Sequence, residues 1–309
     1  MASTYERAGA DDVICFAGAE EALYLAMQVL LGPGDHAVVI TPGYQAAETV
    51  PLSLCEVTGV PLAPGSGWAL DLDAVEAAIR PETRVVSVNF PNNPTGALIP
   101  AARPRPPGRD VRERGIHLFS DEVYRGLELD PARTLPQAAD LSPTALSLNV
   151  TSKSLGLPGL RIGWIACRDR ELRSRLERAK HYTTICNSAP SEVLARVAIK
   201  ARDRILERNR GIIAANLPRF EAFFAEFGDL FEWRVPDGGC VAFPRYLGRD
   251  GVEAFCHRGW VERAGVLLLP ASIYRSQLTD TPADRFRIGV GRADPEPALN
   301  AFAAYLKGL

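Results

Sequence analysis

Short apolar runs alternate along this chain with longer stretches whose apolar residues recur every three or four positions. "DDVICFAG" (11–18) has the length and content of a strand, and "AEEALYLAMQVLL" (19–31) follows it with helical spacing. "DHAVVITP" (35–42) reads as the next strand, and "LDLDAVEAAI" (70–79) as a helix that Asp71 or Asp73 is placed to cap. "RVVSVNFP" (84–91), "IHLFSDE" (116–122), "ALSLNV" (145–150) and "RIGWIAC" (161–167) are further strands. Strands alternating with helices predict an α/β fold whose sheet is mostly parallel and covered on both faces. From about 188 to 227 the pattern is helical, with a bend or boundary expected at Pro218. "FEWRVPDGGCVAFPRY" (231–246), a helical stretch near 251–264 and "RFRIGVG" (285–291) then predict a smaller α+β unit. The division expected is a large domain at 1–212 and a small one at 213–309. One stretch breaks the pattern. "PAARPRPPGRDVRERG" (100–115) lies where a crossover helix belongs, but its four prolines predict a surface loop.

Charge and composition narrow the partners. With 35 basic and 37 acidic residues the formal net charge is -2, so no basic field is expected to recruit nucleic acid or anionic lipid. The apolar runs fall short of the roughly 20 residues a membrane helix needs, and the opening "MASTYERAGADD" has no signal-peptide pattern. The six cysteines (15, 55, 167, 186, 240 and 256) are scattered with no CxxC pair, as expected of small buried side chains in a reducing compartment. The "NVT" at 149–151 fits a glycosylation sequon but is expected to be a decoy. A soluble, cytoplasmic protein with no metal site is expected.

Candidate chemistry lies where the strands end, because ligands of α/β sheets bind outside the carboxyl ends of the strands. Gly18-Ala19-Glu20 opens a helix, where free backbone N–H groups suit a phosphate; an ordinary turn reads the same way. Tyr44, in "TPGYQ", can stack on a flat heterocycle or serve as a half-buried core aromatic. "NFPNNPTG" (89–96) makes a rigid loop whose asparagine amides either bind a ligand or only shape the turn. In "SDEVYRG" (120–126), Asp121 can hold a protonated ring nitrogen or cap a helix, with Tyr124 near the same point. After the next strand comes "TSKSLGLPGLR". A lysine at such a place becomes useful if its amine must be neutral to attack a carbonyl, and Ser152 and Arg161 are donors suited to a phosphate.

Taken together, "GAEEAL", "PGY", "NFPNNPTG", "SDEVY", "SKSLGLPGLRIGW" and "FRIGVG" resemble the class I/II aminotransferases, pyridoxal-phosphate (PLP) enzymes of fold type I. The likeness covers nearly the whole chain in the family's order. It implies a mostly parallel seven-stranded sheet between helices, plus the smaller C-terminal domain. It also implies Lys153 as the internal-aldimine lysine and later proton shuttle, and Asp121 as partner of the pyridinium nitrogen. Asn93 and Tyr124 would hydrogen-bond the ring's phenolic oxygen, and Tyr44 would stack on the ring. The phosphate would lie among Gly18, Ala19, Glu20, Ser152 and Arg161. Arg287 would bind the substrate α-carboxylate, with Arg285 as the nearby competitor. The reaction implied is amino transfer between an amino acid and a 2-oxo acid. A lyase, cyclase or oxidase of the same fold is the alternative, and a PLP-binding protein with little activity is another. A homodimer is implied as well. Two departures stand out. Relatives usually carry several tens of residues before the phosphate-loop strand, so substrate enclosure and dimer contacts are expected to differ. Three residues before the lysine stands Val150 in place of the serine common in relatives, and Thr151 or Ser152 is expected to compensate.

Overall fold

The run His36–Thr41 is buried at every position, as a strand must be when it has neighbours on both sides and helices on both faces. A computed structural model describes residues 1–99, 115–258 and 265–308 of the chain. In it seven strands form one sheet: β1 (Val13–Phe16), β2 (His36–Thr41), β3 (Glu56–Pro61), β4 (Thr83–Asn89), β5 (His117–Asp121), β6 (Leu146–Val150) and β7 (Gly163–Ala166). Their order is β1-β7-β6-β5-β4-β2-β3. The strands from β6 to β3 run parallel, while β7 is antiparallel to both β6 and β1. The reversal at β7 matters for function. It leaves β1 pointing the same way as β6, so the turn after β1 opens on the same edge as the lysine loop.

The predicted elements form close to where the pattern put them. The helix Ala19–Leu30 packs against β6 and β7. Leu72–Ala78 is capped by Asp71, whose carboxylate accepts from Asp73 N at 2.9 Å. Two elements had no clear signal. The edge strand β3 contains Gly59 and Pro61, and the helix Gln45–Leu52 contains Pro51, all residues that normally weaken such elements. Ala189–Lys200 and Arg202–Glu226 supply the helical stretch; the second runs as one helix, with Pro218 and residues 212 and 213 inside it. The proline-rich 100–115 stretch, apart from Gly115, lies outside the described residues, as do 259–264 of the helical stretch near 251–264; Val252–Arg258 is helix.

The C-terminal part carries β8 (Phe231–Glu232), β9 (Val241–Ala242), β10 (Arg245–Tyr246), β11 (Leu269–Pro270) and β12 (Phe286–Gly289). They form a two-stranded sheet, β10-β8, and a three-stranded one, β11-β12-β9. Phe231, Phe255, Phe286 and Phe302 pack at centroid distances of 5.7–6.0 Å and are all buried. Truncating any one of them to Ala is worth about 3–5 kcal/mol.

The first residues are tied into the large sheet. Gln137 Nε2 donates to Thr4 O at 2.6 Å, and the Asp140 carboxylate accepts from the backbone of Glu6 and Arg7. The Tyr5 hydroxyl, buried, accepts from Trp164 Nε1 at 3.1 Å and Asn149 Nδ2 at 3.2 Å. Asn149, the sequon asparagine, is thereby committed to the interior.

Candidate active site

The loops that follow β1, β2, β4, β5 and β6 bring the expected residues to one edge of the sheet. After β1, Gly18 has φ +105°, a conformation that L side chains rarely adopt, and it leads into the helix that begins at Ala19. A Cβ on Gly18 would lie 2.6 Å from Nη2 of Arg161. Arg161 itself sits in the left-handed region at φ 52°. Gly163 completes the cradle: a Cβ there would lie 2.6 Å from Gly18 C and 2.8 Å from Ala19 N. The result is a guanidinium held against the N-terminal turn of a helix, two positive features facing one point.

Lys153 is exposed, not buried at the strand end, and its Nζ lies 5.8 Å from the centre of the Tyr124 ring. Ser152 is half-buried beside it. Thr151 does not serve as the alternative hydroxyl. It is fully buried, and its Oγ1 donates to Ile162 O at 3.1 Å, away from the cradle. Tyr44 is partly exposed; burial of part of its ring, the nearby charge of Glu20 and a hydrogen bond with that carboxylate push its hydroxyl up to about 12. Glu20 is exposed.

Asp121 closes the floor. It does not cap a helix; Oδ1 accepts from Val123 N at 3.1 Å in a tight turn. Burial raises its carboxyl to about 6 despite that bond and the opposing charge of Lys153. Tyr124, in the same turn, is buried, and burial raises its phenol well above the ordinary value.

Asn93 is buried, and its Oδ1 accepts from Nη1 of Arg287 at 3.1 Å. That bond brings β12 over the sheet edge and separates the two candidate arginines. Arg287 also lies 5.8 Å from the Tyr274 ring, whereas Arg285 stacks on Trp68 at 5.0 Å and donates to Phe243 O. One residue escaped the sequence reading. Asn89, the last residue of β4, donates from Nδ2 to Asp121 O at 3.1 Å, and its Oδ1 accepts from Asn93 N at 2.9 Å. A single amide thus fixes the spacing of Asp121 and Asn93. Three asparagines within "NFPNNPTG" were the available signal, but which of them turns inward depends on the neighbouring strand. Among the described residues no cluster of potential metal ligands occurs.

A family model described as Aminotransferase class I and II matches residues 3–302. This chain belongs to that family. Capreomycidine synthase of Streptomyces vinaceus is 34% identical over 281 residues, covering 90% of this chain and 70% of that protein. A PLP-dependent aminotransferase structure from Streptococcus suis superposes with a TM-score of 0.87 at 28% identity, over 99% of this chain and 80% of that one. The PLP-dependent cyclase OrfR superposes with a TM-score of 0.84 at 28% identity, over 99% and 81%.

This aminotransferase-family chain is an enzyme whose cofactor is pyridoxal 5'-phosphate, and the site fits it. The Gly18–Arg161 cradle suits a phosphate and would be filled by a Cβ at either glycine. Among the described residues Asp121 has no cationic hydrogen-bond partner, so this buried carboxylate has capacity to accept from a ring N–H.

Proposed function

We propose that this protein moves an amino group between an amino acid and a 2-oxo acid, with Lys153 as the residue that holds PLP and shuttles the proton. The observation that carries this reading is the Arg287–Asn93 hydrogen bond, 3.1 Å long, which sets a guanidinium beside the edge that bears Asp121 and Lys153. Bound there, the cofactor supplies an aldehyde that accepts an amino group and a ring that withdraws electrons from the substrate Cα.

The chain's own groups then divide the work. The Gly18 and Ala19 backbone, with Ser152 and Arg161, holds the phosphate; Glu20 begins the same helical turn. Asp121 accepts the ring N–H, which keeps that nitrogen protonated. Asn93 and Tyr124 donate toward the ring's oxygen, and Tyr44 covers one face. Arg287 binds the substrate carboxylate in a planar fork, orienting the Cα–H toward Lys153 Nζ, which takes that proton and returns it. Residues 1–212 contribute the cradle and base, and 213–309 the carboxylate-binding arginine.

The partner supported best is a second copy. Tyr182, Ile185, Val193, Leu194 and Val197 are exposed large apolar side chains on one loop and the helix after it, a patch suited to an interface. Six free cysteines and, among the described residues, no helix long and apolar enough to cross a membrane agree with a cytoplasmic protein. A second reading, cyclisation of an amino acid, is favoured by the likeness to OrfR at a TM-score of 0.84.

The test is the visible spectrum of the protein with PLP, for the wild type and Lys153→Ala. A band that borohydride removes in the wild type and that the variant lacks is the expected result. Incubation with a panel of amino acids and a 2-oxo acid then separates the readings: transfer converts the added 2-oxo acid into its amino acid, whereas cyclisation consumes the amino acid and leaves the 2-oxo acid unchanged. A wild type that forms no band would overturn the assignment of Lys153.

A further inference from the structure

Glu21 lies one residue past the expected phosphate-binding positions and takes more hydrogen bonds than any of them. Its Oε2 accepts from Ala17 N at 2.6 Å, in the turn that carries Gly18. Its Oε1 accepts from the Thr183 hydroxyl, from Thr184 Oγ1 at 2.8 Å and from Thr184 N at 3.3 Å. The two oxygens of one carboxylate therefore hold two segments that lie about 160 residues apart in the chain. Behind Thr184 stands Lys180, buried, whose Nζ donates to Thr184 Oγ1 at 2.8 Å and to Ile185 O at 3.0 Å. Burial alone would raise the Glu21 carboxyl. The donors from Thr183, Ala17 and Thr184, with the charge of Lys180, outweigh it and hold the group below the usual carboxylate range.

The loop so gripped, residues 181–187, is an unusual one. Tyr182 and Ile185 are exposed at its tip, and Ile185 has φ 58°, a strained conformation for a β-branched residue. Such a residue persists only where its surroundings dictate the backbone, and the contacts that do so here run through Lys180, Thr184 and Glu21. On the other side, the Ala17 amide that Glu21 accepts fixes the turn in which Gly18 meets Arg161.

We propose that Glu21 is a positioning residue that couples the phosphate cradle to the 181–187 loop, so that filling the cradle orders the loop and loosening the loop weakens the cradle. The inference rests on the reading that PLP phosphate occupies the Gly18–Arg161 cradle. Two elements sharing one carboxylate have a common equilibrium, and linkage requires the effect to be the same in both directions.

Two measurements on the full chain test it: PLP affinity by absorbance, and hydrogen exchange of peptides spanning 181–187 with and without PLP. In the wild type PLP is expected to slow exchange in that loop. In Glu21→Ala the affinity should fall about tenfold, the size of a lost charged hydrogen bond, and loop exchange should become faster and indifferent to PLP. Thr184→Val touches only the far side, yet should weaken PLP binding about threefold to tenfold; a merely local role for Glu21 would leave it unmoved. If Glu21→Ala does not fold, Glu21→Gln and Thr184→Val carry the test. Wild-type affinity in Thr184→Val, or loop exchange in the wild type that ignores bound PLP, would overturn the coupling. A wild type that binds no PLP would instead overturn the reading of the cradle.

Discussion

Asp121 and Glu122 are adjacent acids, both buried at the end of β5, and they face different surroundings. Among the described residues the Asp121 side chain accepts one hydrogen bond, from Val123 N. The Glu122 carboxylate turns the other way and is saturated: it accepts from Ala138 N and Ser147 Oγ at 2.8 Å each and from Asn149 Nδ2 at 3.3 Å. Behind it the network continues through Asn149 and Tyr5 to Trp164. Burial raises both groups, Asp121 to about 6 and Glu122 to about 7. Equal burial with unequal partners separates an acid with acceptor capacity to spare from one whose partners tie several segments together. Burial or a raised pKa alone would not have told them apart.

Four effects would break or sharpen that contrast. The largest effect is expected on turnover. Asp121→Asn should lower kcat by about 10³-fold, the scale on which a preorganised charge is worth several kcal/mol, while Glu122→Gln stays within about tenfold of the wild type in the same assay. Next comes stability. Glu122→Ala strands three buried donors and should cost about 3 kcal/mol in urea unfolding, whereas Asp121→Ala strands one. The third effect has the opposite sign and depends on pH. Because the folded chain holds the Asp121 proton more tightly than the unfolded chain, wild-type stability without cofactor falls as pH rises from about 4 to about 6. Asp121→Asn removes that loss, so it should be roughly 1–3 kcal/mol more stable at pH 8 and equal to the wild type near pH 4. Calorimetry at the two pH values reads it. The smallest effect belongs to the far end of the network: Tyr5→Phe should cost about 1 kcal/mol by leaving Trp164 Nε1 without its acceptor, with no change in PLP binding.

How much of this was legible in the sequence follows from distance along the chain. The strands, the helix after β1 and the order of the loops were readable because periodicity and motif are local, and the loops that carry the candidate residues follow strands of one sheet. What needed the structure was every choice decided by a remote neighbour. Only the resemblance favours Arg287 over Arg285 in "RFRIG"; the partners that tell them apart are Asn93 and Trp68, each about 190 residues or more away. Thr151 and Ser152 were equal candidates until the Ile162 carbonyl claimed the threonine. Asn89 and Glu21 were passed over because each looks like an ordinary strand end or helix start until its second partner is seen. Whether Lys153 is buried was likewise open in the sequence; it is exposed, with Nζ 5.8 Å from the centre of the Tyr124 ring.

The pairing of β1 with β7 alone has a consequence for how the protein is made. Val13 pairs with Ala166, so β1 has no partner in this sheet until about 150 further residues have been added. At ordinary rates of synthesis that wait lasts on the order of ten seconds, during which an apolar strand and the turn at Gly18 lie unpaired. The turn in which Gly18 meets Arg161 and Gly163 therefore cannot close before β7 has been made and has paired with β1.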